Sequence, residues 1–165
     1  MKLKSLSDLY LDLLKDIYWA EKKITKVLPK MAKAATSSKL KSAFQQHLKE
    51  TEGQIQRLEE IFELMGKPAR AKKCEAMAGL ALEGEEMMQD AGSDVMDAAL
   101  IVAAQKVEHY EIGSYGTLIE YARLLGYRDH QRLLQETLDE EKSCDDKLSF
   151  LAESGVNETA LQAAA

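Results

Sequence analysis

The chain has 165 residues, of which 45% are apolar, 30% charged and 6% aromatic, with two prolines and nine glycines; that length suits one domain with a sizeable core. Its 28 acidic residues outnumber 22 basic ones for a net charge of −6, and no basic block interrupts that balance, which argues against a nucleic-acid or anionic-membrane footprint. Two cysteines, Cys74 and Cys144, are too few for a disulfide scaffold, and the longest apolar run, 98–104, is far short of the roughly 20 residues of a membrane span.

Met1-Lys2-Leu3-Lys4 leads straight into an amphipathic pattern, so no secretory segment is expected and the location is expected to be cytoplasmic. Sparse glycine and proline with much Ala, Leu, Glu and Lys predict an all-α chain. Apolar residues at helical spacing mark four long segments. The first, about 6–35, carries Tyr10, Leu14, Ile17, Glu21, Ile24, Leu28 and Met31 on one stripe, and Pro29 inside it is expected to kink the helix. Thr36-Ser37-Ser38 supplies a stop and the next N-cap.

The second segment, about 39–65, sets Phe44, Leu48, Thr51, Ile55, Leu58 and Phe62 on one face and ends at Gly66-Lys67-Pro68. A stretch of some 26 residues follows, and 74–89 within it reads as a short helix. The third long segment, about 95–125, follows Ser93 and Asp94 as candidate caps. The fourth, about 129–154, stops at Gly155 before a tail without a firm pattern. Short links within each pair and a long one between them predict two antiparallel hairpins joined by a crossover, the ferritin-like four-helix bundle. The halves echo each other: placing Glu21 on Glu111 aligns Leu28 with Leu118, and placing Glu50 on Glu140 aligns Leu58 with Leu148.

Every long helix carries a carboxylate on or beside its apolar stripe, near mid-length. These are Glu21, Glu50, the i, i+3 pair Glu108 and Glu111, and Glu140 or Glu141. A carboxylate in a dry core persists only if it is paired, protonated or bound to a cation. Several converging on one axis repel unless a cation neutralises them, and oxygen ligands in a helical bundle suit iron or manganese. His47 is a candidate nitrogen ligand, a partner of Glu50, or an ordinary interior histidine. His109 and His130 read as surface residues, Cys144 and the methionines as core, and Tyr18, Tyr110 and Tyr115 as flanking the carboxylates. The bland reading, acidic residues that fall near a stripe by chance and pair with lysine, stands beside the metal reading for each glutamate taken alone.

The segments HLKET (47–51), QKVEHYEIGSYGTL (105–118), TLDEEKSCDDKL (137–148) and DIYWAEKKITKVLPKMAKAA (16–35) resemble the YciF-type ferritin-like proteins of bacteria, over nearly the whole chain. The resemblance implies a bundle related to rubrerythrins, an association with stress and a homodimer, and it brings no settled reaction and no known electron-donor partner. In the di-metal pattern two helices give one Glu each and two give Glu-x-x-His. By resemblance Glu21 and Glu111 are the lone glutamates, and Glu50 and Glu140 lead the motifs. Gly53 and Ser143 then stand where the histidines belong, and a shift to Glu141 gives Cys144 instead. Two functions are therefore expected as alternatives. One is a protein holding two iron or manganese ions and handling peroxide, oxygen or iron itself. The other is a non-catalytic helical interaction protein with a vestigial site and no metal. No rubredoxin-like CxxC unit and no fifth ferritin helix are read in the sequence, so a large cage is not expected.

Overall fold

The computed structural model describes residues 3–162. Among them the elements are α1 (Leu6–Ala34), α2 (Ser38–Leu64), α3 (Glu75–Asp90), α4 (Met96–Leu124), α5 (Arg128–Leu151) and α6 (Asn157–Gln162), with no strand. At 1.5 Å per residue the 29 residues of α1 and of α4 span about 43 Å. Helices in proteins gain most of their stability from packing an apolar face, and here the faces close into one core. α1 packs on α2 and α4 on α5, while α1 against α4 and α2 against α5 complete the square.

Local chemistry sets the ends. Ser5 and Ser37 cap α1 and α2 by accepting from the backbone N–H groups of Asp8 and Leu40, and Cys74 caps α3 by accepting from Met77 N–H at 3.3 Å. Ser93 and Asp94 do not cap α4: its N-cap is Val95, without a side-chain cap bond, and the Ser93 hydroxyl is turned to Asp94. α2 and α4 both end on a glycine with positive φ, Gly66 at 64° and Gly126 at 77°. After each, the next N–H returns to the last turn, Lys67 to Phe62 O and Tyr127 to Ala122 O, both at 2.9 Å. Pro29 lies inside α1, which runs on to Ala34.

The four long helices each run antiparallel to their neighbours in the square, as contacts at both ends of the bundle show. At one end the Tyr10 hydroxyl meets His130 Nδ1 at 3.1 Å, with Tyr127 packed beside both rings. At the other, Asp97 at the start of α4 accepts from Thr36 N–H (2.7 Å), Thr36 Oγ1 (2.6 Å) and Ser37 N–H (2.8 Å). His130 is therefore not a surface residue: it is 5% exposed, because the first turn of α5 faces the start of α1. α3 crosses the α1–α4 groove, tied by Lys30 to Glu85 at 2.8 Å and by Lys106 to Glu83. Residues 156–162 are not a patternless tail. A wide turn over Ala152–Val156, with Gly155 at φ 148°, leads into α6; residues 163–165 of that expectation lie outside the described residues.

The core fills the bundle from both ends. Tyr10, Leu14, Leu58, Phe62, Leu118 and Leu134 occupy one end, and Leu28, Met31, Leu40, Phe44, Leu100 and Leu148 the other. The polar cluster described below lies between them. No helix is long and apolar enough to cross a membrane among the described residues.

Asp97→Ala removes three bonds to an ionised acceptor. It is expected to cost about 1–3 kcal/mol, read as a lower urea midpoint at unchanged m-value.

Candidate metal centre

The helical repeat aims the site. α1 turns Ile17, Glu21 and Ile24 inward; α2 turns in His47, Thr51, Gln54 and Leu58; α4 Ala104, Glu108, Glu111 and Tyr115; α5 Leu134, Thr137, Glu141 and Cys144. These are steps of three or four residues, which keep one face of a helix. The result is four carboxylates and an imidazole at mid-length: Glu21, Glu111 and Glu141 are fully buried, Glu108 is 1% exposed and His47 3%.

His47 Nδ1 or Nε2 and one oxygen each from Glu108, Glu111 and Glu141 lie within 4.8 Å of one another, and His47, Glu108 and Cys144 form a second such group. His47 Nε2 is 3.3 Å from Glu108 Oε1 without the alignment of a hydrogen bond. Cys144 Sγ lies 3.5 Å from the same oxygen. Gln54 donates to Glu141, and Tyr115 donates its hydroxyl to Glu21. The donors fall short of the acceptors. Among the described residues, every buried side-chain polar atom without a hydrogen bond belongs to this cluster: Glu21 Oε2, both His47 nitrogens, Gln54 Oε1, Glu108 Oε2, both Glu111 oxygens and Glu141 Oε2.

Dehydration dominates the electrostatics. Burial, then the charge of Glu141, pushes the Glu21 carboxyl up to about 8. Burial and neighbouring carboxyls, Glu141 foremost, hold Glu108 and Glu111 well above the usual carboxylate range. Burial likewise raises the Tyr115 hydroxyl and the Cys144 thiol, so both are neutral donors at pH 7. The cluster holds protons where it holds no cation.

Glu50 and Glu140 stand outside it. Glu50 is half-buried and accepts from Gln46 at 2.9 Å. Glu140 is clamped by both terminal nitrogens of Arg57 and also accepts from Gln54 at 3.1 Å. One residue along a helix is a rotation of about 100°, so the axis meets Thr51 and Glu141 instead of Glu50 and Glu140. The inward pairs are then Thr51-x-x-Gln54 and Glu141-x-x-Cys144. Ser143 is exposed, and a Cβ on Gly53 would meet nothing within 4 Å, so neither vacant histidine position faces the cluster. Gln54 and Tyr115 were not singled out from the sequence as partners of particular carboxylates; both lie on the same inward stripes, which is the signal that finds them. Tyr18 and Tyr110 serve other carboxylates, Glu59 (2.7 Å) and Asp16 (2.6 Å). His109 is exposed and pairs with Asp145 at 3.0 Å.

An antiparallel four-helix bundle with a long crossover and a buried carboxylate–histidine cluster at mid-length is a ferritin-like protein with a candidate metal centre. The chain belongs to the DUF892 family, described as a domain of unknown function, whose model matches residues 5–161. It is 48% identical to Protein YciF of Escherichia coli K12 over 162 residues, covering 97% of this chain and 98% of that protein. The crystal structure of the E. coli stress protein YciF superposes with a TM-score of 0.90, at 48% identity, over 94% of this chain and 99% of that one. YcfI of Rhodopseudomonas palustris gives a TM-score of 0.87 at 44% identity, covering 90% and 95%. A protein of Xanthomonas campestris at 21% identity shares the fold, with a TM-score of 0.77 over 98% and 100%.

Glu21 gives a pH signature. Its folded-state value is raised from 4.5 to about 8, so the stability its proton confers is full below 4.5 and is lost as pH rises through about 8. Chelator-treated wild type and Glu21→Gln are expected to diverge steadily between pH 5 and 9, as an order-of-magnitude window, with wild type the less stable at the alkaline end. Parallel melting curves across that window would contradict the assignment.

Proposed function

We propose that the protein binds iron or manganese at the centre of the bundle, as a di-metal carboxylate protein of the bacterial stress response. The eight orphaned polar atoms confined to one cluster carry this reading. Buried polar groups are almost always bonded, and a dry core tolerates four carboxylates only with protons or a cation between them. One nitrogen and several oxygens are a donor set that suits these metals. His47, Glu108, Glu111 and Glu141 would hold one ion, and Glu21, buried beside them, would help to hold a second. Such ions would supply electrons for reducing peroxide or dioxygen, or would themselves be the cargo.

The chain's own residues do the positioning. Gln54 and Tyr115 each bond one carboxyl oxygen, of Glu141 and Glu21, which leaves the other oxygen of each free toward the axis. Arg57 holds Glu140 away from the cluster with a forked clamp. Apolar layers on both sides exclude water. Protons displaced from Glu108 and Glu111 on loading would leave with bulk water, so apparent affinity would rise with pH.

A second reading, a helical interaction protein whose site is vestigial, is favoured by Gln54 and Cys144 at the two inward positions where a histidine-rich site would carry nitrogen ligands. The expected homodimer belongs to either reading, and exposed Val102 and Phe150 are apolar candidates for its contact; light scattering of the purified chain measures the mass.

Melting curves of wild type and Glu108→Gln/Glu111→Gln, each with and without chelator, separate the two. Metal at a hundred times its dissociation constant stabilises the folded state by roughly 2.7 kcal/mol. The double variant is expected to melt below untreated wild type, and chelator to close most of the gap. A variant that melts higher, with wild type indifferent to chelator and sub-stoichiometric in metal after anaerobic reconstitution with ferrous iron, would favour the second reading.

A further inference from the structure

We propose that His47, Glu108 and Cys144 form a zinc-binding corner of the cluster, with sulfur as its third ligand. Cys144 stands one turn after Glu141 on the inward stripe of α5, at the i, i+3 place where a di-metal bundle carries histidine. A softer donor thus replaces a nitrogen. The thiol is 9% exposed. Both nitrogens of His47, itself 3% exposed, lack a hydrogen bond. A buried imidazole with neither nitrogen bonded is rare, and this one lies within 4.8 Å of a carboxylate oxygen and a sulfur. The S–H···O bond from Cys144 to Glu108, at 3.5 Å, is weak and leaves His47 without a partner.

The spacing fits one ion. Zinc bonds sulfur at about 2.3 Å and nitrogen or oxygen at about 2.0–2.2 Å, in a tetrahedron. Those lengths set ligand-to-ligand edges of about 3.4 Å from nitrogen to oxygen and about 3.6 Å from sulfur to oxygen. His47 Nε2 lies 3.3 Å from Glu108 Oε1, and Cys144 Sγ 3.5 Å from the same oxygen. Donor chemistry selects among ions. Sulfur disfavours manganese and magnesium, the carboxylate disfavours cuprous copper, and the mixed set suits zinc, which generally binds such ligands more tightly than ferrous iron does. Charge agrees. On binding, the Cys144 S–H bond breaks and a zinc–sulfur bond forms; the proton passes to the buffer with that of Glu108, and no electron is transferred. Thiolate and carboxylate then offset the two charges of the ion, whereas the three carboxylates around His47 would leave one negative charge in excess. Three protein ligands leave a fourth position open to water.

The inference goes beyond the iron or manganese reading and does not rest on it; the two kinds of ion would compete for His47 and Glu108. Chelator-treated protein is titrated with cobalt(II), the spectroscopic stand-in for zinc, and then with zinc against a chromophoric chelator. Wild type is expected to take up cobalt with a near-ultraviolet thiolate-to-cobalt band that saturates at one equivalent, and zinc is expected to bleach it. Cys144→Ser, or Cys144→Ala should the first not fold, is expected to keep its helicity by circular dichroism, lose the band and bind zinc roughly tenfold or more weakly. Cys74→Ser, which alters the sulfur that caps α3, is expected to keep both band and affinity. Cobalt uptake without the band, a band that survives loss of Cys144, or no uptake of either ion overturns the corner. A protein that takes up ferrous iron but shows no sulfur band keeps the proposed function and loses the corner. One that shows the band and its loss with Cys144, but takes up no iron or manganese, keeps the corner and overturns the proposed function.

Discussion

The dehydration of four carboxylates is the constraint around which this molecule is built. Moving one ionised carboxylate from water into a protein interior carries an effective penalty of several kcal/mol, while a whole domain is stable by only about 5–15 kcal/mol. Glu21, Glu108, Glu111 and Glu141 are all buried at one level. Two apolar layers, each several side chains deep, must outweigh them, which is why the helices are long. Protons lessen the burden, and a cation would remove more of it. The arginine in the neighbourhood helps little: Arg57 spends its charge mainly on Glu140 and Glu136 at the flank and is the smallest of the influences on Glu21, so the cluster keeps its demand for positive charge.

The two hairpins contribute unequally. At a spacing of ninety residues, Glu21 matches Glu111 and Leu58 matches Leu148, all buried. Across the same spacing His47 matches Thr137, Thr51 matches Glu141, Gln54 matches Cys144 and Tyr18 matches Glu108, again all buried or inward. The scaffold repeats, and of the chemistry only the Glu21–Glu111 match does. The first half supplies one carboxylate, the imidazole and an amide, the second three carboxylates and a thiol.

Helix positions, both tight hairpins and the helical crossover were legible in the sequence, because a period of 3.6 sustained over seven or eight turns leaves little freedom and Gly66 and Gly126 mark their ends. Glu21, Glu108 and Glu111 were legible because they interrupt strongly apolar stripes. The choice between Glu140 and Glu141 was not, since the α5 stripe is only loosely apolar there and Arg57, which draws Glu140 aside, lies on another helix. His130 looked like a surface residue because its own turn is polar; its burial comes from Tyr10, 120 residues away.

The bonds that close the ends of the bundle also set its longitudinal scale. Like charges at mid-length push the hairpins apart and cannot themselves define how far one slides along the other. That setting comes from Asp97 at one end and from Tyr10 with His130 at the other. From Asp97 to Glu108 is eleven residues of helix, about 16 Å, and a slip of a single turn, about 5.4 Å, exceeds the whole spread of the ligand atoms. The two clips work as the stops of a vernier. Variation at residues outside the cluster thus retunes the spacing of its side chains even where the glutamates themselves are unchanged.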